Sequence, residues 1–148
     1  MESPKIEHEV YINTPPEKVF EAITTSKGWD SWFTNGTTIE LKPGGEIKLK
    51  WKDFGAGNYN TVDGGPILEV AKNRRIAFQW FPTGHPTTVT FSLEPKGSGT
   101  LVKLTETGYK PTKDDIDTCI GCAVGWGEAL TLLKFYSEHN VTYGDVPR

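Results

Sequence analysis

The chain has two cysteines, Cys119 and Cys122, which form a C-x-x-C pair within the stretch DTCIGCAVGW. Such a pair can carry out thiol–disulfide exchange or supply half of a zinc site. A redox pair of the thioredoxin kind begins at a helix N-terminus, but several residues of predicted helix precede Cys119. A zinc site needs four ligands, and His8, His85 and His139 lie far apart in the sequence. We therefore expect both cysteines to pack in the core or line a cavity, ahead of redox-sensitive thiols or a metal site.

Two carboxylates lie near the ends of predicted strands and could do acid–base chemistry if they are buried. Strand alternation places Glu106 on the apolar face of its strand and Asp53 on the face of Trp51, with solvent exposure as the alternative for both. His85, in the turn PTGHPTT, is expected to be exposed. The sequence shows no nucleophile paired with a base and no phosphate-binding glycine loop, since GPILE and KPGGE are predicted to be turns that enter strands. We therefore assign no catalytic residue, no metal ligand and no cofactor.

Aromatic side chains supply the stronger candidate site. Tryptophan suits both cores and ligand cavities, because it joins a large apolar ring to one N–H donor. Aromatic, small and acidic side chains expected to face inward form our predicted ligand site, and a well-filled core is the alternative. They are Trp29, Trp32, Phe33, Trp51, Phe78, Trp80, Phe91, Glu106, Cys119, Cys122, Trp126 and Leu130.

The elements that must position these side chains begin with a strand, IEHEVYIN, in which apolar and polar residues alternate. Thr14 is predicted to cap the next helix, with Pro15 in its first turn and Glu17 completing a capping box. A second short helix or turn, SKGWDSWFTN, follows it. The stretch GGEIKLKWKD then predicts a strand with one packed face and one wet face.

The rest of the chain reads as strands followed by one long helix. PILEVAKNRRIAFQWF predicts two strands joined at Lys72–Arg74, and TTVTFSLEPKGSGTLVKLTETG predicts a hairpin. Helical spacing then predicts a helix capped by Thr112 and running to about Glu138. This helix carries Gly121, Gly125 and Gly127, which indicates close approach to backbone or ligand, because glycine otherwise weakens a helix. Strands followed by a long helix on one face of a sheet indicate an α+β fold.

Composition narrows the class of protein. The 148 residues fit one domain over 1–148, and 36% hydrophobic with 24% charged residues is typical of a soluble globular protein. A net charge of −3 argues against nucleic-acid binding. The N-terminus lacks the features of a secretory signal, and no apolar run approaches the ~20 residues of a membrane span. We therefore expect a cytoplasmic, monomeric protein with reduced thiols and no membrane contact.

Six stretches, spread over nearly the whole chain, carry a family resemblance. They are INTPPEKVFEAIT, WDSWFT, GGEIKLKW, GPILEVAKNRRIAFQW, SLEPKGSGTLVKLTETG and VGWGEALTLLKFY. In this order and spacing they resemble the START-like (SRPBCC) superfamily, in its branch related to the activator of the heat-shock chaperone ATPase. The resemblance implies a helix-grip fold, in which a curved antiparallel sheet wraps a long C-terminal helix and two short helices lie near the N-terminus. It also implies a cavity between the sheet and that helix.

Three functions are compatible with this resemblance, because fold alone does not choose among them. The first is binding of a small hydrophobic ligand, aromatic or lipid-like, between the sheet and the long helix. The second is a partner-binding module resembling the chaperone co-activators, with a place in the stress response. The third is an enzyme of the polyketide cyclase kind, with Glu106 or Asp53 as the acid–base group; it is the least favoured because neither carboxylate has a recognisable partner.

Overall fold

The computed structural model describes residues 2–143 of the chain. In chain order the elements are β1 (Ile6–Ile12), α1 (Pro16–Thr24), α2 (Ser26–Trp32), β2 (Thr38–Ile39), β3 (Glu46–Phe54), β4 (Tyr59–Ala71), β5 (Arg75–Trp80), β6 (Thr87–Lys96), β7 (Gly99–Thr107) and α3 (Lys113–His139). The described strands form one antiparallel seven-stranded sheet in the order β1-β7-β6-β5-β4-β3-β2. Its concave face holds α3, with α1 and α2 at one end. The predicted α+β helix-grip fold is confirmed. Residues 1 and 144–148 of the predicted domain lie outside the described residues.

Alternation along the strands builds the apolar face that grips α3. In β3, Ile47, Leu49 and Trp51 are buried, while the lysines between them are exposed. Strands β6 and β7 follow the same rule and pair in the predicted hairpin. Because successive side chains of a strand point to opposite faces, each of these strands gives one row of apolar groups to the core.

Strand β4 is longer than predicted, because it begins at Tyr59 rather than at Pro66. The glycines of GGPILE are therefore not a turn entering a strand. A Cβ atom at Gly64 would collide with the carbonyl oxygen of Ile47, and one at Gly65 would lie 2.5 Å from that of Gln79. The two glycines thus allow β4 to pass close to β3 and β5 in the middle of the sheet.

The predicted capping box of α1 is wrong. The helix begins at Pro16, its N-cap is Pro15, and no side chain of the described residues caps it. Thr14 is instead tied to the end of α3, because its hydroxyl donates to the carbonyl oxygen of Ser137 at 2.9 Å. Its own carbonyl oxygen accepts a hydrogen bond from the hydroxyl of Thr100. This side chain therefore stabilises tertiary contacts rather than the helix terminus.

Helix α3 matches its predicted bounds to within a residue. The Thr112 hydroxyl accepts from the N–H of Asp115, and Asn140 ends the helix in the left-handed conformation at φ 55°. By length and composition α3 could cross a membrane, contrary to our reading that no apolar run is long enough. Its buried face, with Trp126 and Leu133, packs into the core, so it serves as the core helix of this fold.

Candidate functional site

Seven aromatic rings form a closed loop through the core of the described residues, which we call the aromatic circuit. Each ring centroid lies 4.8 to 6.4 Å from the next. In order around the loop they are Trp29, Trp32, Phe33, Trp51, Trp80, Trp126 and Phe91. All seven belong to the predicted ligand site, so the structure brings together seven of its eight aromatic side chains, and the eighth, Phe78, lies in the core outside the circuit. The circuit connects the short helices, the sheet and α3.

One side of the aromatic circuit is filled core. Trp29 and Trp32 are stacked and fully enclosed, and each indole N–H donates to a backbone carbonyl oxygen of α1. Trp29 donates to Ile23 at 2.8 Å and Trp32 to Ala22 at 2.9 Å. These bonds satisfy the polar end of each ring, as a buried tryptophan requires. This side of the circuit therefore holds α2 in place against α1.

The other side of the aromatic circuit borders an open cleft of about 510 Å³ between the sheet and α3. The predicted site residues that line it are Phe33, Trp51, Trp80, Cys122 and Trp126. The predicted site residues that lie in the core instead are Trp29, Trp32, Phe78, Phe91, Glu106, Cys119 and Leu130. These residues lie in the core because they pack against one another between the sheet and the buried face of α3, away from the cleft.

Sequence reasoning missed several lining residues, and a β-bulge explains two of the errors. The pairing of β3 with β4 shifts between Trp51 and Phe54, with Asp53 at a positive φ of 51°. The extra residue brings Phe54 into the cleft lining, while Asp53 is exposed and does not line the cleft. The remaining lining residues not predicted are Tyr59, Thr61, Asp63, Pro82, Thr118, Gly121 and Gly125. The three-glycine pattern of α3 was the signal that pointed toward the last two.

The glycines of α3 leave the helix side of the cleft open. No atom of residues 2–143 lies within 4 Å of a Cβ atom built at Gly121 or Gly125. The third glycine, Gly127, lies beside His8, whose ring hydrogen-bonds to the carbonyl oxygen of Ala123 at 2.8 Å. A Cβ atom at Gly127 would make only an ordinary van der Waals contact with the His8 ring, at 3.6 Å, so among residues 2–143 the expected close approach to backbone is not found, and Gly121 and Gly125 face open space. Such space beside a buried aromatic wall is the usual form of a small-molecule site.

Behind the cleft wall lies Glu106, which is fully buried. Its Oε2 accepts from the indole N–H of Trp80 at 2.8 Å and from the hydroxyls of Thr87 and Tyr109 at 2.7 Å each. Its Oε1 accepts from the indole N–H of Trp126 at 2.9 Å. Three donors therefore share Oε2 and one donates to Oε1, and a group that accepts from all four must be the acceptor-only carboxylate. Glu106 therefore faces inward, as its strand alternation predicted, and it is not exposed at the strand end. Within the described residues it holds two cleft indoles in place and does not line the cleft itself.

Asp63 is the charged side chain that lines the cleft. Its Oδ1 accepts from the backbone N–H groups of Gly64 at 2.7 Å and Phe81 at 3.0 Å. Within residues 2–143, Oδ2 has no hydrogen-bond donor. Burial raises the pKa of the Asp63 carboxyl, the two backbone N–H groups counteract this, and the charge of nearby Glu106 adds to the rise. The position and partners of Asp63 leave one carboxylate oxygen available to a guest.

The two thiols are free and protonated rather than activated. Burial raises the pKa of Cys119, and it raises the pKa of Cys122 to about 11 despite the neighbouring Tyr109 hydroxyl. A thiol reacts as its thiolate, so this environment is the opposite of a redox site. Within residues 2–143, no group of three or more His, Cys, Asp or Glu side chains could hold a metal ion. The cysteines therefore pack in the core and line the cleft, as small side chains.

His85 is not exposed, contrary to the sequence-based expectation. Its side chain is 24% exposed, and its Nε2 lies 2.7 Å from Oδ2 of Asp115 on α3. The same carboxylate oxygen accepts from the backbone N–H of Lys110 at 2.6 Å. These contacts join the β5–β6 loop to the start of α3. The Lys110 N–H, followed by His85, holds the pKa of Asp115 below its usual range.

Two other depressions fit a ligand less well. One, of about 600 Å³, lies between α1 and the end of α3 and is lined largely by polar and charged residues, among them Lys18, Glu21 and Glu138. The other, of about 560 Å³, is an apolar groove on the outer side of α3 that includes Leu132 and Phe135. The first includes the Ser137 hydroxyl, which is buried without a hydrogen-bond partner among residues 2–143, but neither depression has a wall of several indoles beside a carboxylate, so the cleft beside the aromatic circuit is the better candidate.

Comparison with known proteins agrees with this architecture. The family model described as "Activator of Hsp90 ATPase homolog 1-like protein" matches residues 13–138. No curated protein matches the chain. The solved structure of the Aha1 dimer from Colwellia psychrerythraea is 25% identical, with a TM-score of 0.74, and the match covers 92% of this chain and 97% of that one.

Two more solved structures share the fold. The protein SSP2350 from Staphylococcus saprophyticus is 26% identical with a TM-score of 0.75, and the match covers 97% of this chain and 98% of that one. CalU16 from Micromonospora echinospora is 20% identical with a TM-score of 0.70, over 94% of this chain and 87% of that one. At its lower identity, the likeness to CalU16 shows the fold alone.

Proposed function

This chain belongs to the family of activator of Hsp90 ATPase homolog 1-like proteins, and we propose that it binds a small, largely apolar molecule in the cleft between sheet and α3. The observation that carries this proposal is the open space itself. Trp51, Trp80 and Trp126 form its walls, and two helix glycines leave room opposite them. Aromatic walls with few polar groups are the usual setting for a ligand.

The cost of those glycines supports the proposal. Each glycine within a helix weakens it by about 1 kcal/mol relative to alanine. In the part of the chain that the structure describes, nothing within 4 Å would obstruct an alanine Cβ at Gly121 or Gly125, so packing among those residues does not explain the two glycines. Space for a guest does explain them, because any larger side chain would project into the cleft.

A cavity-filling variant tests the proposal. We expect titration with a panel of aromatic and aliphatic ligands, followed by NMR shifts of the indole N–H groups, to show binding to the native protein. The variant Gly125→Leu should weaken that binding at least tenfold, because its side chain occupies the cleft. The exposed substitution Val124→Leu serves as the matched control and should bind normally, while Gly125→Ala, whose single methyl group reaches less far into the cleft, should weaken binding less than Gly125→Leu does. Absence of binding to any panel member, or equal binding by Gly125→Leu, would overturn the proposal.

A second candidate is binding of a protein partner, which the family description favours. Ile120 and Val124 support it, because they are 60% and 71% exposed on the outer side of α3. We expect a monomer when no partner is present, although the Colwellia relative is described as a dimer. Pull-down with Hsp90 tests chaperone binding, and sedimentation of the isolated protein tests whether it is a monomer. Loss of chaperone capture in Val124→Glu, with ligand binding intact, would separate the two functions.

The enzyme hypothesis has the least support. Glu106 already accepts four hydrogen bonds, and Asp53 is exposed outside the cleft. A general acid or base must reach the proton that it moves, and Glu106 is enclosed by the groups that it fixes. A cytoplasmic location remains part of our proposal, supported by two thiols that are both free.

A further inference from the structure

The charge of the cleft indicates which ligands it accepts. Among residues 2–143, no Lys, Arg or His side chain lines it, and Asp63 is its charged lining residue. The carboxylate of Glu106 lies directly behind two of its walls. Among residues 2–143, an anionic ligand in the cleft would therefore meet two negative charges and no positive one. Since the surroundings exclude water in part, this repulsion is stronger than it would be at the surface.

Glu106 also changes the indoles that face the ligand. Trp80 and Trp126 both donate their N–H groups to this one carboxylate, at 2.8 and 2.9 Å. A negative acceptor polarises a donor toward itself, which leaves more electron density on the donor's ring. The face of an indole is already its negative region, so both rings become better partners for a cation.

The cleft rings also have a suitable arrangement. Trp51 and Trp80 are tilted by 46° with centroids 6.4 Å apart, and Trp80 and Trp126 by 45° with centroids 5.3 Å apart. The three indoles thus form a curved wall rather than a flat stack. Asp63, with Oδ2 lacking a donor within residues 2–143, lines the same cleft. Aromatic faces with a nearby carboxylate are the combination that recognises substituted ammonium groups.

We propose that the cleft selects ligands carrying an organic cation, a protonated amine or quaternary ammonium group, on an apolar body. The ammonium group packs against the parts of the three indoles that line the cleft and pairs with Asp63, while the apolar body lies along Phe33 and Phe54. This inference rests on the proposed ligand-binding function and adds the charge of the ligand. A bound cation also favours the charged form of Asp63, which burial alone disfavours.

Three probes of similar shape test the effect of ligand charge. Each has a benzyl body and a tetrahedral head group. Benzyltrimethylammonium carries one positive charge, benzyl methyl sulfone is neutral, and benzylsulfonate carries one negative charge. We expect the ammonium probe to bind at least tenfold more tightly than the sulfone, and benzylsulfonate to bind more weakly than either. Dissociation constants come from indole N–H shifts in NMR titrations of the full chain at low salt.

Variants assign the preference to particular groups. Asp63→Asn keeps the oxygen that accepts from Gly64 and Phe81, so the backbone contacts persist while the charge is lost. It should weaken the ammonium probe by about tenfold and change the sulfone less than twofold. The control Glu69→Gln removes one charge from an exposed position on the same strand, near Arg75, and should change neither. Trp51→Leu should weaken the ammonium probe, and Trp51→Phe should restore part of its affinity.

The outcomes distinguish this inference from the function on which it rests. If the three probes bind equally, or if Asp63→Asn leaves the ammonium probe unchanged, the preference for a cation is wrong and the ligand site stands. If hydrophobic ligands bind but none of the three probes does, the preference for a cation is likewise wrong. If neither the probes nor the hydrophobic panel binds, the ligand site itself is wrong. If affinity decreases from the cationic to the neutral to the anionic probe, and this difference disappears in Asp63→Asn, the result supports both the ligand site and its preference for a cation.

Discussion

Replacing Glu106 by Gln is expected to destabilise the protein through an indole N–H that cannot find an acceptor. The glutamine amide has one oxygen and one NH₂ group in place of two carboxylate oxygens. With the amide oxygen at the Oε2 position, Trp80, Thr87 and Tyr109 keep their acceptor, but the NH₂ group faces the N–H of Trp126. With the amide reversed, the two hydroxyls can rotate to accept, but the N–H of Trp80 cannot. Either orientation leaves one buried indole donor without a partner.

The magnitude follows from these bonds. An unsatisfied buried donor costs about 1–3 kcal/mol, and the surviving bonds weaken because their acceptor is no longer charged. Part of this loss of stability is offset, because Glu106→Gln also removes a charge whose burial was unfavourable. We expect Glu106→Gln to lower the free energy of unfolding by about 3 kcal/mol. For a chain of this size that loss corresponds to a decrease in melting temperature of roughly 6–12 °C.

A double-mutant cycle identifies the cause. Trp126→Phe removes the N–H that opposes the glutamine NH₂ group, so the double variant should be more stable than the sum of the single effects predicts, by about 1 kcal/mol or more. Urea unfolding followed by far-UV circular dichroism measures all four proteins, because tryptophan fluorescence changes with the substitution. Our reasoning would be refuted by a loss below about 1 kcal/mol in Glu106→Gln or by additive effects in the cycle.

Three further predictions concern the helix and its termini. Gly125→Ala should raise the free energy of unfolding by about 1 kcal/mol, seen as a higher melting temperature, because its Cβ meets open space; a decrease would show hidden contacts. The pKa of Cys122 is raised from 9.0 to about 11, so in the folded protein this thiol should react with iodoacetamide at pH 8 at least about tenfold more slowly than in urea. The free energy of unfolding should also decrease as the pH rises from 9 to 11, because only the unfolded thiol ionises in that range. Asp115, whose folded pKa lies below its ordinary 3.8, should contribute stability that is present above that value and is lost as the pH falls through the folded pKa. Asp115→Asn should therefore reduce the loss of stability that the native protein shows as the pH falls below about 4. If the variant loses as much stability at low pH as the native protein, other carboxylates are responsible.

The fold could be predicted where local pattern decides structure. The alternation of Ile47, Leu49 and Trp51 defined a strand, and the spacing of apolar residues after Thr112 defined α3 to within a residue. These patterns work because side-chain period and capping act over a few neighbouring residues. The inward placement of the strand aromatics followed from the same alternation, but their closure into a circuit was not predicted.

The parts that failed depend on contacts between distant segments. The bulge at Asp53 arises from how β3 pairs with β4, and alternation within β3 alone carries no sign of it. Thr14 suits an N-cap, but the carbonyl oxygen of Ser137 on the last helix competes for its hydroxyl. The pairing of His85 with Asp115 spans 30 positions, which a reading of the turn alone could not reveal. Only the assembled sheet and helix bring these groups within bonding distance.

The aromatic circuit has an optical consequence. Its direct indole pairs have centroids 4.8, 5.3 and 6.4 Å apart, and single phenylalanine rings separate the remaining neighbours. At such separations we expect excitation energy to pass from one indole to its neighbours before emission, so that the five tryptophans emit as a coupled set. A quencher seated in the cleft would then dim even Trp29, which is enclosed on the far side. For the same reason, replacing one tryptophan will alter the emission of the others as well as remove its own.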